Sequence, residues 1–528
     1  MFKVINIYYR NNLDTVVGQI VDKAFRVANL LKRPLKDPLF TQREVLSQLM
    51  IKSQHTAFGI HHRFSSILYG DNLIEDFRNS VPIFDYDKIF DEWWHRLLEC
   101  EPNVTWPGRV RNFALSSGTS GSASKYIPVT RDMQRSMRKA GLRLFMNMPN
   151  FNIDSSMFAK AMLMIGGSAT LSEKYDYKMG DLSGINGASP PFWIRSYYKP
   201  GTEIARIKDW NERTKVIVEN APKWDVGYLT GIPSWVHMTL KAIIDHYQLD
   251  SIHDLWPNLS VFVTGGVNYQ PYDAGFQELY SKKVITLDSY LASEGFIGFQ
   301  SRKETSAMRL ILDNGIFMEF VPFNEDNFDD DGNILPSAQS LLIHEVDTDT
   351  DYALIISTNS GAWRYVIGDL IRFSDVRQQE IHIVGRTKHF LSICGEHLSV
   401  DNMTTGVLQV QKELNVAINE FTVSAIELGT SFGHKWYLAA DEKLDKHKAK
   451  LILDAKLAEI NDDYATERNA GVLKEPLIEL IPTQWFYDYM ERQGKLTGQT
   501  KFPRVIKHQA WNNWEDYIRE KMIVYSPQ

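Results

Sequence analysis

Cysteine is nearly absent from this chain of 528 residues, which contains only Cys100 and Cys394. Neither residue lies in a spacing typical of zinc ligands, and two cysteines do not supply the disulfide framework of a small secreted protein. We therefore expect two free thiols in a reducing compartment.

Long apolar runs are missing as well. No segment approaches the roughly 20 apolar residues that a membrane-spanning helix needs. The apolar stretch at the start of the sequence is too short for a signal peptide, and Asp14 follows it early. The sequence therefore predicts a cytoplasmic protein without a membrane partner.

The chain also has no excess of basic residues. Its 58 Lys and Arg residues are outnumbered by 65 Asp and Glu residues, which gives a net charge of −7. General nucleic-acid binding depends on a basic surface that neutralises phosphates, so we expect no nucleic-acid partner. The length suggests about two to four domains, or one large domain and one small domain.

Hydrophobic periodicity divides the chain into regions. Residues 1–100 are predicted to be mostly helical, and the first helix has apolar residues at a helical period, namely Val16, Ile20, Phe25, Ala28 and Leu31. Runs rich in β-branched and aromatic residues predict strands at 259–266, 283–290, 315–322, 340–346 and 352–358. After about residue 386 helical and strand patterns alternate, which predicts a separate α+β module of about 140 residues.

The segment LSSGTSGSASKYIPVT, residues 115–130, is unusually rich in small and hydroxyl side chains. Such a loop lets a backbone approach a ligand closely, and its hydroxyls can donate to phosphate oxygens. Lys125 supplies a cation, and Thr130 is a plausible N-cap for a following helix, so we expect the loop to join a strand to a helix N-terminus. No Gly-Lys pair follows, which excludes a Walker-type P-loop. A phosphate site and a flexible surface turn both remain open at this point.

Five further segments contain residues suited to a nucleotide: VTGGVNY (263–269), SYLASEGFIGF (289–299), WRYVIGDLIRF (363–373), VGRTKHFL (384–391) and GKLTGQTKFPRV (494–505). Paired glycines suit a flat base, and the carboxylate of Asp369 can accept hydrogen bonds from two ribose hydroxyls. Each segment also has an ordinary interpretation, because Glu294, Asp369 and Lys501 can be a strand-end acid, a turn former and a surface charge.

Taken in this order, the segments resemble the adenylate-forming superfamily of acyl-CoA synthetases, peptide-synthetase adenylation domains and luciferases. Within it they are most similar to the auxin-responsive acyl-acid amido synthetase family, typified by enzymes that conjugate jasmonate or auxin to amino acids. SSGTSGSASKYIPVT resembles its first nucleotide motif, YLASE its Tyr-Ala-Ser-Ser-Glu motif, NSGAWRYVIGDLIRF its Tyr-Arg-Val-Gly-Asp motif, and QTKFPRV its C-terminal lysine loop. The likeness spans about residues 100–505.

The sequence departs from the family pattern at three places. Leu291 and Ala292 stand where the family has Ala and Ser, and Val366 stands where it has Arg, although Arg364 lies nearby. TGIPSW, residues 230–235, does not resemble the acyl-pocket sequence of the plant enzymes. These departures leave the identity of the substrate open.

The resemblance implies an α/β fold. It implies a large, multi-layer adenylate-forming N-terminal domain over residues 1–386, which binds nucleotide and acyl substrate. A small mobile α+β domain over residues 387–528 would carry the catalytic lysine, and Lys388 would be the hinge.

The resemblance also implies an ATP- and Mg²⁺-dependent ligase that adenylates a carboxylic acid and passes the acyl group to an amine, expected to be an amino acid. Lys501 and Glu294 would be catalytic, with Glu294 holding Mg²⁺. The implied nucleotide-binding residues are Ser116, Ser117, Gly118, Thr119, Ser120, Lys125, Gly265, Gly266, Tyr290, Ser293, Asp369 and Arg386. Trp193, Tyr228 and Trp235 are candidates for binding the acid.

Two alternatives remain open. The chain could share the adenylation step but transfer the acyl group to CoA or to a carrier protein. It could also be a non-catalytic nucleotide-binding protein that keeps the fold, although Glu294 and Lys501 argue against this alternative. The sequence does not specify an oligomeric state.

Overall fold

The computed structural model describes most of the chain. The described residues are 2–30, 37–116, 125–188, 195–265, 269–329, 332–387, 390–391, 393, 396, 398–428, 431–440, 444–469, 473–494 and 501–525. They form two compact units, each described by itself: unit 1 is built from residues up to 383 apart from 269–278, and unit 2 from residues 269–278 and from residue 384 onward. The predicted domain boundary between residues 386 and 387 stays a prediction.

Helices dominate the first hundred residues and recur between the strands. In chain order they are α1 (Phe2–Leu30), α2 (Pro38–Ser53), α3 (Ala57–His61), α4 (Phe64–Leu68), α5 (Leu73–Ser80), α6 (Tyr86–Ile89), α7 (His95–Leu98), α8 (Arg131–Asn147), α9 (Leu182–Gly187), α10 (Thr202–Ala205), α11 (Trp210–Asn220), α12 (Pro233–Tyr247), α13 (Gln270–Leu279), α14 (Val400–Leu414), α15 (Lys446–Ile460), α16 (Asp462–Asn469), α17 (Thr483–Arg492) and α18 (His508–Tyr525). A π-helical turn spans Phe90–Trp94, and 3₁₀ turns span Met148–Phe151, Ser155–Ala159, Ala221–Lys223 and Ile252–Asp254.

The strands are, in chain order, β1 (Asn112–Ser116), β2 (Lys125–Pro128), β3 (Ala161–Ile165), β4 (Ser172–Lys174), β5 (Tyr177–Gly180), β6 (Tyr198–Lys199), β7 (Val226–Gly231), β8 (Val261–Gly265), β9 (Ile285–Ala292), β10 (Gly295–Gln300), β11 (Met308–Leu310), β12 (Ile316–Pro322), β13 (Asp351–Thr358), β14 (Tyr365–Asp375), β15 (Glu380–Arg386), β16 (Phe390–Leu391), β17 (Leu398–Ser399), β18 (Phe421–Leu428), β19 (Ser431–Ala439) and β20 (Leu477–Ile481).

Unit 1 is organised around a large mixed sheet. Its strand order is β12-β13-β14-β15-β11-β10-β9-β8-β7-β3-β6, with only the last residues of β15 outside the unit. The five strands from β9 to β6 pair in parallel, whereas β9 through β11 and β12 through β14 pair antiparallel. In the parallel part, the helix α12 returns the chain from the end of β7 to the start of β8, as a parallel crossover requires.

A second sheet of unit 1, in the order β2-β1-β5-β4, contains both ends of the serine-rich loop. Ser116, the last residue of β1, pairs directly with Lys125, the first residue of β2. The expectation that the loop leads directly into a helix is therefore wrong, because β2 intervenes. Ile127 is buried in this strand and holds the chain in a hairpin before α8 begins. The predicted N-cap is confirmed, since the Thr130 hydroxyl accepts a hydrogen bond from the amide of Met133 at 3.1 Å.

The predicted helical character of the first hundred residues is confirmed, but the predicted face of α1 is partly wrong. Val16 and Ile20 are 52% and 62% exposed, whereas Val21 and Phe25 pack against the core of unit 1. The ring of Phe25 contacts the edges of the Phe145 and Phe158 rings. Because α1 packs against the 3₁₀ turn at Ser155–Ala159, the helix buries the face with Val21 and Phe25 and leaves Val16 and Ile20 exposed.

Four of the five predicted strands are confirmed as β8, β9, β12 and β13, and the strand predicted at 340–346 is wrong. Leu341 exchanges one pair of backbone hydrogen bonds with Phe320, but the chain then turns. The Glu345 carboxylate accepts from the amide of Leu342 at 2.6 Å and closes this turn. The residues of this run are apolar because the turn is buried, as Leu342 and Ile343 show. A buried turn and a short strand give the same apolar pattern in a sequence.

Unit 2 has a core of its own. The strands β18 and β19 are antiparallel, β20 adds in parallel to β19, and α14 and α15 pack together. Side chains with no exposed surface fill the space between them, including Met403, Val407, Trp436, Leu453 and Leu457. The predicted small α+β domain is confirmed by this arrangement.

Across the described ranges, no helix is both long enough and apolar enough to cross a bilayer.

Candidate active site

The parallel strands of unit 1 bring four strand ends to one edge of the sheet. Their register places Ile165 of β3 beside Gly231 of β7, Gly231 beside Thr264 of β8, and Thr264 beside Asp288 of β9. In parallel strands the carboxyl ends all lie at the same edge, where α/β proteins place their ligand sites. The predicted nucleotide residues of β8 and β9 therefore lie next to each other.

Gly265, the last residue of β8, lies very close to the neighbouring strand. A Cβ at this position would lie 2.8 Å from the Ser289 carbonyl oxygen and 2.9 Å from its hydroxyl oxygen. The Ser289 hydroxyl donates to the Thr264 carbonyl at 2.9 Å. Only a glycine allows this approach, and it leaves the end of β8 without side-chain bulk. Gly266 lies outside the described residues.

A hydrogen bond joins two of the predicted residues that are 79 positions apart. The hydroxyl of Tyr290, near the end of β9, donates to the Asp369 carboxylate of β14 at 2.7 Å. Tyr290 is only 3% exposed and Asp369 is half-buried. The strands β9 and β14 are not neighbours, because β10, β11 and β15 lie between them in the sheet. The hydrogen bond therefore joins two strands that backbone pairing does not connect.

The turn between β9 and β10 carries the predicted metal ligand. Ser293 is half-buried, and Glu294 is 7% exposed. Glu294 lies four residues beyond Tyr290 and therefore at the same edge of the sheet. Within the part of the chain that the structure describes, no three or more acidic, His or Cys side chains cluster in a manner that holds a metal ion. A divalent cation here would need further oxygens from a bound substrate.

The serine-rich loop itself is not described between residues 117 and 124, so Ser117, Gly118, Thr119 and Ser120 lie outside the described residues. Its two ends are placed by the pairing of Ser116 with Lys125. The Lys125 ammonium lies 5.2 Å from the centre of the Tyr86 ring, and the Tyr86 hydroxyl accepts from the Tyr126 amide at 2.8 Å. These contacts with α6 fix the base of the loop.

The sequence reasoning missed Asp288, which lies on the same face of β9 as Tyr290, two residues away. Burial raises the pKa of its carboxyl to about 6. Its neighbours in the strand register are Thr264 and, one strand further, Gly231. The available signal was an acid inside a predicted strand, ITLDSY, where a charged residue is unexpected.

Arg364, noted because the family has an arginine nearby, has a structural role. It is 6% exposed, and its guanidinium donates to both carboxylate oxygens of Glu319 at 3.0 Å and to the Val81 carbonyl at 2.7 Å. All of these contacts lie within the core of unit 1. Arg364 therefore does not replace the missing arginine at Val366.

In unit 2, Lys501 is exposed, and the residues that follow it are well fixed. Phe502 is 5% exposed and packs against the rings of Phe486 and Trp514. Arg504 donates to the buried carboxylate of Glu420 at 2.6 Å. The backbone at Lys501 is thus anchored by the residues directly after it.

The anchor of Lys501 extends to α13. The Tyr272 hydroxyl donates to Glu420 at 2.9 Å and accepts from Arg504 at 3.2 Å, all within unit 2. A buried acid shared by an arginine and a tyrosine is costly to disrupt, because removing one partner leaves a desolvated charge. This network therefore holds the segment after Lys501 firmly.

The remaining predicted residues are spread over both units. Arg386 is half-buried at the end of β15 in unit 2, and the predicted hinge residue Lys388 lies outside the described residues. Trp193, a candidate for the acid pocket, also lies outside them.

Both other acid-pocket candidates are buried in unit 1. Tyr228 is 5% exposed in β7, and burial raises the pKa of its phenol. Trp235 has no exposed surface and packs edge to face on Trp210, with ring centres 4.6 Å apart. Their assignment to the acid pocket stays a prediction.

Comparison with known families gives a consistent result along the chain. Models of the GH3 family match in three parts: its N-terminal domain over residues 28–219, its central domain over 309–386 and its C-terminal domain over 401–510.

Two curated relatives from Arabidopsis thaliana illustrate the sequence likeness. Indole-3-acetic acid-amido synthetase GH3.4 is 25% identical over 281 residues, which cover 48% of this chain and 45% of the relative. Indole-3-acetic acid-amido synthetase GH3.3 is 26% identical over 281 residues, with the same coverage of 48% and 45%. The chain thus matches slightly less than half the length of these relatives.

Solved structures share the fold over nearly the whole chain. The GH3.15 acyl acid amido synthetase superposes with a TM-score of 0.72 at 16% identity, covering 92% of this chain and 96% of that one. A 2-hydroxyisobutyryl-CoA ligase in the postadenylation state, in complex with 2-HIB-AMP, gives 0.53 at 13% identity, with 92% of each chain covered. The predicted adenylate-forming α/β fold, with a large N-terminal and a small C-terminal domain, is confirmed.

Asp288 predicts a pH dependence of stability. Its pKa of about 6 in the folded state exceeds the 3.8 of an exposed carboxyl, so the folded state binds the proton more tightly. The free energy of unfolding therefore falls as the pH rises from about 4 to about 6. The Asp288→Asn variant does not undergo this loss. We therefore expect the difference in free energy of unfolding between variant and parent to be about 2 kcal/mol larger, in favour of the variant, at pH 8 than at pH 4.

Urea unfolding of both proteins at the two pH values measures this gain. A difference between variant and parent that does not change with pH would contradict the assigned pKa.

Proposed function

Because the chain belongs to the GH3 family, we propose that it is an ATP-dependent acyl-acid amido synthetase. It would adenylate a carboxylic acid with release of pyrophosphate and then transfer the acyl group to an amino acid with release of AMP. The observation that carries the proposal is the hydrogen bond from Tyr290 to Asp369, made where Gly265 and Glu294 lie along the same sheet edge. Three predicted nucleotide residues and the predicted metal ligand, which come from three distant segments, thus support the proposal.

Related proteins support the reaction class. The curated relatives are named indole-3-acetic acid-amido synthetases, and one structural neighbour is an acyl acid amido synthetase in complex with 2,4-DB. We infer a small carboxylic acid as the first substrate. The acid need not be the one used by the plant proteins, because TGIPSW differs from their pocket sequence.

The nucleotide would be bound from several sides. In this proposal Gly265 and Gly266 flank the adenine, and Asp369, oriented by Tyr290, accepts hydrogen bonds from the ribose hydroxyls. The hydroxyls and amides of residues 116–120, with Lys125, bind the β- and γ-phosphates. Ser293 and Arg386 complete the set of polar contacts.

Glu294 is suited to a Mg²⁺ ion that travels with the nucleotide. Mg²⁺ prefers octahedral oxygen ligands and is often held by one or two carboxylates together with substrate phosphates. Glu294 is buried, and the described residues place no acidic cluster around it, so a single carboxylate with substrate oxygens fits that donor set. The ion would neutralise phosphate charge, and Glu294 would orient it.

In the first step an oxygen of the substrate carboxylate attacks the α-phosphorus, and the bond to pyrophosphate breaks. Negative charge concentrates on the phosphate oxygens, where a positioned cation stabilises it most effectively. We assign this role to Lys501, which would bridge the substrate carboxylate and the α-phosphate. Phe502 and Arg504 are firmly anchored and restrict the backbone at Lys501. This restriction supports a defined position for the ammonium group.

In the second step the neutral amine of the acceptor attacks the acyl carbon. The bond between that carbon and the AMP oxygen breaks, AMP leaves as the anion, and the amine loses a proton to solvent water to give the amide. A water-excluding site protects the mixed anhydride from hydrolysis between the steps.

Product analysis tests the proposed function. The chain is incubated with ATP, Mg²⁺ and a panel of carboxylic acids, with either the twenty amino acids or CoA as acceptor. We expect acid-dependent pyrophosphate release and an amide product detected by mass spectrometry. Thioester formation alone would assign the chain to the CoA ligases. Absence of pyrophosphate exchange across the acid panel would favour a non-catalytic nucleotide-binding protein.

The Lys501→Ala variant tests the role of the lysine. We expect pyrophosphate exchange to fall by about 10²–10³, because one preorganised transition-state contact is lost, while the affinity for ATP changes little. Lys448→Ala is the matched control, since Lys448 is an exposed lysine of α15 in the same unit. Exchange at the parental rate in Lys501→Ala would overturn this assignment.

A further inference from the structure

The helix α13 belongs to unit 2 up to residue 278, although in the chain it lies between β8 and β9 of the large sheet. Only six residues separate Gly265, at the end of β8, from Tyr272 in the first turn of α13. Tyr272 is 3% exposed, and its hydroxyl contacts the side chains of Glu420 and Arg504. The chain therefore passes from the predicted adenine glycines directly into unit 2.

Three side chains meet at the buried carboxylate of Glu420. One of its oxygens accepts from the Tyr272 hydroxyl at 2.9 Å and from the Tyr487 hydroxyl at 3.4 Å, and the other accepts from the Arg504 guanidinium at 2.6 Å. The same guanidinium also donates to the Tyr272 hydroxyl at 3.2 Å. Burial raises the pKa of both phenols, so each hydroxyl keeps the proton that it donates. Tyr272, Glu420 and Arg504 therefore form a closed ring of hydrogen bonds.

Arg504 connects this ring to the backbone that follows Lys501. The Arg504 carbonyl accepts from the Val423 amide at 2.9 Å, and the Ile506 amide donates to the Val423 carbonyl at 3.0 Å. These two bonds pair residues 504–506 with β18 in parallel. Because the pairing begins three residues after Lys501, the backbone that carries the lysine starts from a fixed point.

The two tyrosines that donate to Glu420 come from different parts of the chain. Tyr487 lies in α17, within the same C-terminal region as the acid. Of the described side chains that bond to this carboxylate, Tyr272 alone comes from the segment next to β8. The Tyr272 hydroxyl therefore joins two segments with separate predicted roles, namely the helix after the adenine glycines and the backbone after Lys501.

We propose that Tyr272 is a positioning residue for the adenylation step, and this inference rests on the proposed function. Through Arg504, Tyr272 fixes the backbone of Lys501 relative to α13, the helix that follows the adenine-binding loop. Adenylation needs the nucleotide and the lysine ammonium to be aligned at the same moment, and a misplacement of about 1 Å can cost about 100-fold in rate. Lys501 has no part in the proposed chemistry of the second step, so Tyr272 should serve the first step selectively.

The test measures the two half-reactions separately in the parent protein, in Tyr272→Phe and in Tyr487→Phe. Pyrophosphate exchange with the most active donor acid of the panel reports adenylation. AMP release from the synthetic adenylate of that acid, with the most active amino acid and without ATP, reports the second step. Tyr487→Phe is the matched control, because it removes a hydroxyl from the same oxygen of Glu420 but belongs to α17 instead of α13.

We expect Tyr272→Phe to lower pyrophosphate exchange at saturating ATP by about 10- to 100-fold, because Lys501 loses its alignment. AMP release from the synthetic adenylate should stay within about 2-fold of the parent, so the ratio of the two rates should change by nearly the full factor. Both rates are measured on one preparation, and a smaller folded fraction lowers them equally. A purely structural effect therefore leaves the ratio unchanged, and Tyr487→Phe should keep the parental ratio.

A double variant tests whether Tyr272 acts through Lys501. In the Lys501→Ala background the ammonium group is absent, so its alignment no longer affects the rate. Adding Tyr272→Phe to this background should lower the remaining exchange by less than about 2-fold, since two residues that act through one contact have non-additive effects. A further loss of about 10- to 100-fold would show that Tyr272 acts independently of the lysine and would overturn the inference.

A parental ratio of the two rates in Tyr272→Phe, or the same change of ratio in both tyrosine variants, would overturn the inference while leaving the proposed function intact. If Tyr272→Phe does not fold, Glu420→Gln decides by the same ratio, because it keeps both hydroxyls and the volume of the side chain. In that variant a fall of exchange relative to AMP release supports the inference, and a parental ratio overturns it. A parent protein without pyrophosphate exchange would contradict the proposed function itself, and the inference would fail with it.

Discussion

Parallel pairing of β3, β7, β8 and β9 is the constraint on which the candidate site depends. Parallel strands end at the same edge, so the chain brings residues from the 160s, the 230s, the 260s and the 280s into one row. The row starts at Ile165 and ends at Asp288, two residues before Tyr290. Once this register is set, the predicted nucleotide residues Gly265 and Tyr290 lie on neighbouring strands at that edge.

Buried charges divide into two kinds in this molecule. Glu319 with Arg364, and Glu420 with Arg504, are paired and surrounded by hydrogen bonds, so they fix the fold of unit 1 and of unit 2 respectively. Asp288 is of the second kind, because burial raises its pKa and no charged partner offsets this among the described residues. Charges of the second kind raise the energy of the folded state.

Much of the fold and part of the site could be predicted from the sequence. The strand β9 with Tyr290 and the turn with Glu294 were identified from local pattern and motif, as was the segment holding Asp369. Their contact across 79 residues depends on sheet topology, which local patterns do not encode. The strand β2 was missed because four residues give little periodicity, and 340–346 was misassigned because buried turns and strands are equally apolar.

The central claim is that these distant segments bind a single nucleotide. Hydrogen exchange of the backbone amides, with and without a non-hydrolysable ATP analogue and Mg²⁺, tests it most directly. The account predicts simultaneous protection of residues 116–125, 264–268, 289–295 and 366–370, with the same dependence on analogue concentration. Protection confined to one of these segments, or protection of none of them under saturating analogue, would contradict a shared site.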